Sequence, residues 1–311
     1  MKKLTGILLL TSLLIITLTA TAAASSGIVW YDFDSLNGSD VYPYTDLNGQ
    51  DNWSSQGFVF ADENPGLIMG VTESTGFDGS QSLRFDTSGA GHIVDASRLN
   101  DGSFSTPALD GSETAAFLQV DFKIGYWGET IALAHDTNGD GLIRHIGPDA
   151  VPGEIGPQLR IGTDGSTQLQ LISASGQSTL VPLASIGLAG IPFGTEWVRL
   201  RLEMDFTANG GQGAGYVYYQ NLSNGDSELQ PAPGLQGISL DLDANALNAG
   251  NPTLWDAMWV NMDSGGNELD NVVISDGQKD LVCHKNGKTL SVGAKSVSAH
   301  LAHGDSQGPC S

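Results

Sequence analysis

One short segment of the chain contains the residue types and the spacing of a calcium-binding loop. Asp136, Asn138 and Asp140 carry oxygen-bearing side chains at every second position, so their oxygens can converge on one hard cation. Gly141 follows at the sixth position, where such loops turn sharply. The backbone carbonyl of Leu142 is placed to act as the next ligand. The pattern predicts a calcium site.

The match to a helix–loop–helix calcium site is incomplete. Gly147 occupies the twelfth position, where a bidentate glutamate is expected, and no helical pattern flanks the loop. Asp149 or Glu154 is close enough in sequence to supply the missing carboxylate. Asn-Gly and Asp-Gly pairs also form hairpin turns without any ion, so a plain turn is the competing interpretation.

Two carboxylates, Glu203 and Asp205, lie two positions apart in a strand-like segment. Alternate residues of a strand face the same side, so the pair shares one face. Glycoside hydrolases use two carboxyl groups as nucleophile and general acid, which makes the pair a catalytic candidate. Solvent-facing charge on a long strand explains the same spacing, and we favour that interpretation.

The two cysteines of the chain lie near its C-terminus. In an exported protein Cys283 and Cys310 most simply form a disulfide. The residues between them predict a short strand over Lys288–Val292 and a short helix over Ala294–His303, with Gly304 as the helix stop.

Side chains around these cysteines could instead hold zinc or another transition metal. His300 and His303 lie three positions apart, so they share one face of the predicted helix. His284 and Asp305 flank them in sequence. Imidazole and carboxylate groups bind zinc with or without cysteine thiolates. A metal site and a disulfide without metal therefore both remain open.

Tyr126 and Trp127 follow a predicted strand and precede the candidate calcium loop. Loops at the ends of a β-sandwich often carry binding residues, and an exposed aromatic ring can stack on a sugar. Packing in the core is the alternative role for such rings.

The N-terminus has the pattern of a secretory signal peptide over residues 1–24. Lys2 and Lys3 precede the apolar run Ile7–Leu18, and the small residues Ala20–Ala24 follow. The apolar run is short for a membrane span, so we expect no span after signal cleavage. The mature chain is expected to be secreted or extracellular, with the periplasm or the cell surface as further locations.

Composition narrows the range of partners. The 311-residue chain has 13 Lys and Arg against 35 Asp and Glu, a formal net charge of −22. Such acidity disfavours nucleic acid and strongly anionic polysaccharide as partners. Neutral polysaccharide or cell-surface glycan fits better, and surface proteins are possible partners.

Strand patterns extend over most of the chain. Ala116–Ile124 and Trp197–Phe206 alternate apolar and polar residues, which is typical of strands with one buried and one wet face. Many such segments imply two stacked antiparallel sheets. We predict an all-β sandwich over residues 25–278 and a small disulfide- or metal-stapled C-terminal module over residues 279–311.

Five segments follow one another in a characteristic order, namely Trp30–Asp34, Leu47–Trp53, Trp197–Phe206, Gly213–Leu222 and Glu268–Ser275. This order resembles the concanavalin A-like lectin/glucanase superfamily, in the laminin-G-like form of secreted bacterial proteins. The resemblance implies a two-sheet antiparallel jelly-roll sandwich and leaves the activity open. The C-terminal unit resembles a short Cys/His module of secreted bacterial proteins, which indicates a domain boundary but no mechanism.

Glucanases of this superfamily carry the strand motif Glu-x-Asp-x-x-Glu. Glu203 and Asp205 match its first two positions, but Ala208 replaces the third carboxylate. We therefore predict a secreted, non-catalytic carbohydrate-binding or adhesion module with a structural calcium ion. The alternatives are a glycoside hydrolase or polysaccharide lyase of the same superfamily, and a structural matrix or surface protein.

Overall fold

The computed structural model describes most of the chain beyond the N-terminal segment. The predicted signal peptide, residues 1–24, lies outside the described residues. The described ranges are 28–41, 44–60, 62–85, 91–99, 109–110, 113–123, 125, 128–162, 167–188, 195–242, 254–255, 257–263, 266–277, 279–285 and 287–310.

Within these ranges the chain is almost entirely β-structure. One α-helix, α1, spans Val297–Ala302, and short 3-10 turns span Leu183–Ile186, Ala208–Gly211 and Ala294–Ser296. The strands are β1 Ile28–Tyr31, β2 Thr45–Asp46, β3 Trp53–Val59, β4 Asp62–Glu63, β5 Gly70–Val71, β6 Leu83–Phe85, β7 His92–Leu99, β8 Leu109–Asp110, β9 Ala115–Lys123, β10 Glu129–Ala134, β11 Ile155–Gly162, β12 Gln168–Ile172, β13 Ser178–Pro182, β14 Trp197–Asp205, β15 Ala214–Asn221, β16 Gln230–Ser239, β17 Leu254–Trp255, β18 Ala257–Asp263, β19 Asn267–Ser275, β20 Lys279–His284, β21 Lys288–Gly293 and β22 Ser306–Gln307.

Two large antiparallel sheets form the body of the fold. Sheet A has nine strands among the described residues, in the order β16-β15-β14-β9-β19-β6-β5-β2, with β1 also paired to β19. Sheet B has eight in the described part, in the order β13-β12-β11-β10-β18-β7-β3-β4. One apolar cluster contains residues of both sheets, so the sheets pack face to face as a sandwich. This confirms the predicted all-β, two-sheet fold class.

Alternation in two long strands decides which side chains enter the core. Leu118, Val120 and Phe122 of β9 are buried in the cluster between the sheets. Leu200 and Leu202 of the neighbouring strand β14 lie in the same cluster. The apolar half of the predicted alternation is therefore confirmed, and its inward side chains face sheet B.

The outer face of sheet A is not the wet surface that alternation predicts. Gln119 and Asp121 of β9 and Arg199 of β14 are buried although they point away from the core. Arg199 and Asp121 lie directly opposite each other and form a two-pronged ion pair at 2.7 and 2.8 Å. The sequence pattern marks these residues as polar but cannot show what covers them.

The cover over this part of sheet A is the C-terminal module, defined here as β20, β21, β22 and α1. Arg199 donates from Nη1 to the backbone carbonyl of Gln307 at 2.8 Å. Arg201 pairs with Asp280 at 2.6 Å. Gly308 lies so close to the Arg199 guanidinium that a Cβ atom would collide with it. The module thus docks on the sheet through two arginines of β14.

The C-terminal module is a three-stranded sheet in the order β21-β20-β22, crossed by the short helix. The predicted strand and helix are present, and Gly304 follows the helix with a positive φ of 86°. The disulfide Cys283–Cys310 ties the end of the chain to β20. The division of the mature chain into a sandwich over residues 25–278 and a module over residues 279–311 stays a prediction.

A bulge in β19 breaks the alternation in the middle of sheet A. The pairing of β19 with β9 shifts between Asp270 and Val273, and Asn271 has a φ of 50°. Leu269 and Val272 therefore both point into the core. Asp270 is buried on the opposite side of the sheet, directly across from Asp121.

No helix in the described part of the chain is long and apolar enough to cross a bilayer.

Candidate functional site

A shallow groove of about 270 Å³ lies on the outer face of sheet A beside the C-terminal module. Its floor is a row of three residues from adjacent strands, with Glu203 of β14 between Phe117 of β9 and Tyr216 of β15. Tyr218 stands two residues from Tyr216 on the same face of β15. The groove thus presents the half-buried phenol ring of Tyr216 beside a carboxylate, and the half-buried ring of Tyr218 lies next to the groove on the same strand face.

Arg201 holds the floor of this groove in place. Its guanidinium lies over the Phe117 ring, 3.6 Å from the ring centroid. It also pairs with Glu203 at 2.9 Å and with Asp280 of the C-terminal module at 2.6 Å. Arg201 is buried, whereas the Glu203 side chain remains 41% exposed. Glu203 is therefore the charged group of this set that a ligand can reach.

The candidate catalytic carboxylates have different surroundings. Asp205 accepts hydrogen bonds from the hydroxyl of Thr207 at 2.7 Å and from its backbone N–H at 2.9 Å. These bonds, the hydroxyl bond first, lower the pKa of Asp205. A carboxyl group with a lowered pKa is a poor proton donor near neutral pH. Both carboxylates line the groove, but Asp205 is engaged by the turn after β14, whereas Glu203 faces Arg201 and solvent.

The predicted calcium loop follows β10 and is organised by its own side chains. Asp136 accepts backbone hydrogen bonds from Gly139 at 2.8 Å and from Gly141 at 2.9 Å. Asn138 accepts one from the N–H of Asp140 at 2.8 Å. These bonds bring the predicted ligand side chains to the inside of one tight turn.

Two further side chains, Arg144 and Glu154, bond to groups of this loop. Arg144 pairs with Asp140 at 2.7 Å and donates to the carbonyl of Leu142 at 3.2 Å. Glu154 accepts bonds from the hydroxyl and the backbone N–H of Thr137 at 2.9 and 3.0 Å. Burial raises the pKa of Glu154. Asp149, the other candidate for the missing carboxylate, is exposed.

The second predicted metal site is assembled in the C-terminal module. Nδ1 of His284 and Nδ1 of His300 lie 3.0 and 2.8 Å from the same carboxylate oxygen of Asp305. The other oxygen of Asp305 accepts the backbone N–H of Lys285 at 3.2 Å. Bonds from the two histidines, His284 first, lower the pKa of Asp305 to about 2. Asp305 is therefore a carboxylate shared by two imidazoles.

His303 and the cysteines do not join this group. The helix ends at Ala302, and His303 occupies the exposed capping position with a φ of −92° and a ψ of 3°. Within the described ranges, His284, His300 and Asp305 form the one set of three or more potential ligands whose donor atoms lie within 4.8 Å of each other. Cys283 and Cys310 are consumed by their disulfide.

The predicted sugar-stacking residues Tyr126 and Trp127 lie outside the described residues. Tyr216 and Tyr218, which the sequence analysis did not name, lie beside Glu203 in the structure. Their alternation in β15 is visible in the sequence, but their position beside Glu203 depends on the pairing of β14 with β15. A single sequence does not define that register.

A further pattern in the C-terminal module also escaped the sequence analysis. Residues 304–308 have the spacing Gly-x-Ser-x-Gly, which in α/β-hydrolases marks the nucleophile turn from a strand into a helix. Here the segment leads from α1 into β22, so the order of elements is reversed. The pattern alone therefore gives Ser306 no catalytic role.

Comparisons with known proteins supply no family for the chain. No protein-family model matches it, and no curated protein matches it. One similar solved structure is a carbohydrate esterase of Shiga toxin-encoding bacteriophage phi24B, with 12% identity, a TM-score of 0.39, and coverage of 80% of this chain and 98% of the other. A bifunctional GH43-CE protein of Bacteroides eggerthii has 15% identity, a TM-score of 0.30, and coverage of 67% of this chain and 23% of the other. Similarities this weak carry no argument about this chain.

Proposed function

We propose that the protein is a secreted carbohydrate-binding or adhesion module that holds neutral glycan in the groove on sheet A. The observation that carries this proposal is the alignment of Glu203 with Tyr216 on adjacent strands, beside Tyr218. Phenol rings offer flat apolar faces to sugar C–H groups, and a carboxylate accepts hydrogen bonds from sugar hydroxyls.

The electrostatics of the groove favour an uncharged ligand. Glu203 and Asp205 place negative charge along the groove, and Arg201 is already paired with Glu203 and Asp280. The whole chain also has a formal net charge of −22. Arg201 is the one cationic residue among the described residues that line the groove, so an anionic polysaccharide would meet mainly like charge, and a neutral glycan is the proposed ligand class.

The same groups argue for binding without hydrolysis. Asp205 is engaged by Thr207 and has a lowered pKa, while Glu203 is paired with Arg201. Asp205 is therefore not poised as a proton donor, and Ala208 stands where the glucanase motif has its third carboxylate. Membership of the concanavalin A-like superfamily remains part of this proposal, as does secretion after cleavage near residue 24.

We further propose that calcium binds the loop of Asp136, Asn138, Asp140 and Leu142 as a structural ion. The turn already gathers these oxygens, as the bonds from Gly139 and Gly141 to Asp136 indicate. Arg144 must release Asp140 for the ion to bind, because the two cations would compete for one carboxylate. The ion would fix the loop after β10 and need not contact glycan.

A binding assay on insoluble neutral polysaccharides tests the proposed function. Pull-downs are run in calcium and in chelator, and the supernatants are assayed for new reducing ends. We expect binding without products, and an affinity at least tenfold lower for Tyr216→Ala and Glu203→Gln. Phe60→Ala is the control, because Phe60 is an exposed ring outside the groove.

The other outcomes separate the alternative functions. New reducing ends or unsaturated ends would indicate a hydrolase or a lyase and overturn the non-catalytic proposal. Binding to surface proteins without any binding to glycan would favour a structural matrix role. N-terminal sequencing of the protein recovered from culture medium tests secretion, and we expect a first residue close to position 25.

A further inference from the structure

The C-terminal module contains a cluster of metal-binding groups that the proposed glycan groove does not use. Three elements contribute to it, with His284 at the end of β20, His300 in α1 and Asp305 just before β22. Asp305 is only 3% exposed. The side chains of His284 and His300 are 38% and 27% exposed, which gives an ion a path from solvent.

The backbone around these groups fixes their positions. Cys283, next to His284, is tied to Cys310 by the disulfide and pairs with Ser306 across β20 and β22. The N–H of Asp305 donates to the carbonyl of His300 at 3.2 Å, after the turn at Gly304. The three side chains are therefore held by a disulfide, a strand pair and a helix end before any ion binds.

The spacing of the donor atoms is close to that of a metal centre. The oxygen of Asp305 lies 3.0 Å from Nδ1 of His284 and 2.8 Å from Nδ1 of His300. Zinc bonds of 2.0–2.2 Å in a tetrahedral site separate ligand atoms by roughly 3.3 Å. An outward shift of a few tenths of an ångström would admit an ion.

We propose that His284, His300 and Asp305 bind one divalent first-row transition metal ion, of which zinc is the natural probe. Two imidazole nitrogens and one carboxylate oxygen suit zinc, copper and nickel, and disfavour calcium and magnesium, which prefer oxygen ligands throughout. The cysteines are locked in their disulfide, so three protein ligands leave at least one position for water or an outside ligand.

Metal binding sets the protonation of the two imidazoles. Each ring must present an unprotonated Nδ1 to the ion and carry its proton on Nε2. In the metal-free state the same Nδ1 atoms donate to Asp305. The ion therefore replaces two hydrogen bonds with bonds of its own, and Asp305 balances half of its double positive charge.

Titration of the metal-stripped, disulfide-intact full chain with zinc against a chromophoric chelator tests the proposal. Millimolar calcium is included to block non-specific binding to this acidic protein. We expect one zinc per chain, bound at micromolar concentration or tighter. His284→Ala, His300→Ala and Asp305→Asn should each weaken binding at least tenfold, whereas the adjacent His303→Ala should leave it unchanged.

Two results would overturn the proposal. The first is the absence of zinc binding at up to a 100-fold molar excess of zinc over protein. The second is equal binding by the His284→Ala/His300→Ala double variant and by His303→Ala. His300→Gln retains a donor toward Asp305, so it replaces His300→Ala if the alanine variant does not fold. Cobalt(II) should give the intense visible bands of a four- or five-coordinate site, which the double variant should lack.

Discussion

Asp140 takes part in two networks that calcium would bring into conflict. Its carboxylate accepts the N–H of Leu142 at 2.9 Å and pairs with Arg144 at 2.7 Å. The first bond shapes the turn and survives ion binding, whereas the ion pair must open. Calcium must therefore displace the Arg144 guanidinium as well as water from Asp140, which lowers its affinity for this loop.

Replacing Asp140 separates these contributions. Asp140→Ala should lower the melting temperature more in calcium than in excess chelator, because in chelator the variant loses only a turn bond and a surface ion pair of about 0–1 kcal/mol. Differential scanning calorimetry in both buffers makes the comparison, with the exposed Glu73→Ala as control. Equal losses in the two buffers would contradict a calcium site.

Replacement of Arg144 should have the opposite effect on calcium binding, because it removes a competitor and not a ligand. Arg144→Gln removes the cation that competes for Asp140 and retains a polar group beside Gln56, to which Nε of Arg144 donates at 2.6 Å. We expect calcium to bind several-fold more tightly to this variant, measured by isothermal titration calorimetry. Unchanged or weaker binding would show that Asp140 is not a ligand.

Asp270 should make the stability of the fold depend on pH. Burial, followed by the facing carboxylate of Asp121, raises the pKa of Asp270 from 3.8 to about 8. A carboxyl group whose pKa is higher in the folded chain takes up a proton on folding between those two values. Its contribution is therefore fully present below about pH 4 and is lost as the pH rises through about 8.

Asp270→Asn should remove this pH dependence. The slope of unfolding free energy between pH 5 and 8, at most about 1.4 kcal/mol per pH unit from one group, should flatten in the variant. Urea unfolding at several pH values measures it. The amide can still accept the bonds from Ser80 and the N–H of Phe77, at 3.0 and 3.2 Å. An unchanged slope would place the titrating group elsewhere.

At the scale of elements, docking of the C-terminal module depends on buried charged side chains. Arg201 and Asp280 lie 2.6 Å apart and are almost fully buried, and loss of Asp280 leaves the Arg201 guanidinium with the partly exposed Glu203 as its charged partner. Asp280→Ala should cost roughly 3–5 kcal/mol of unfolding free energy. Asp280→Ala and Arg201→Leu should then be strongly non-additive in a double-mutant cycle.

The pair Arg160–Asp263 provides the comparison for that cycle. Its atoms lie 3.2 Å apart, but both side chains retain more than a fifth of their exposure. A coupling of no more than about 1 kcal/mol is expected there. Equal couplings for the two pairs would mean that burial under the module adds nothing to the Arg201–Asp280 contact.

The elements also show how far sequence reasoning extends. The core faces of β9 and β14 were predicted because alternation is a local property of each strand. The burial of Gln119 and Asp121 was missed because the module that covers their side of sheet A comes much later in the chain. The bulge at Asn271 was missed because its positive φ carries no glycine to mark it.

The candidate site residues also divide into those that local sequence spacing predicts and those that depend on the folded structure. The spacing of His284, His300 and Asp305 around a predicted strand and helix was enough to nominate them as a group. His303 was added because it shares a helix face with His300, but the helix ends before it. Tyr216 and Tyr218 were missed because their closeness to Glu203 depends on which strands pair.

At the scale of the whole molecule, the disulfide should connect stability with the C-terminal metal cluster. Closing a loop with a sequence separation of 27 residues stabilises the fold by roughly 3.5 kcal/mol in the chain-entropy model. Cys283→Ser/Cys310→Ser should lower stability by about that amount and weaken zinc binding, because His284 follows Cys283. Chemical unfolding and zinc titration check both effects.

The position of β19 has a consequence for the time at which the protein can fold. This strand is the last of the sandwich to be made, yet it lies inside sheet A between β9 and β6 and also pairs with β1. During synthesis β1 therefore waits for its partner until almost the entire chain has emerged. Sheet A closes only after that point, so we expect a slow, largely post-translational folding step and an extended period in which unpaired strand edges need protection.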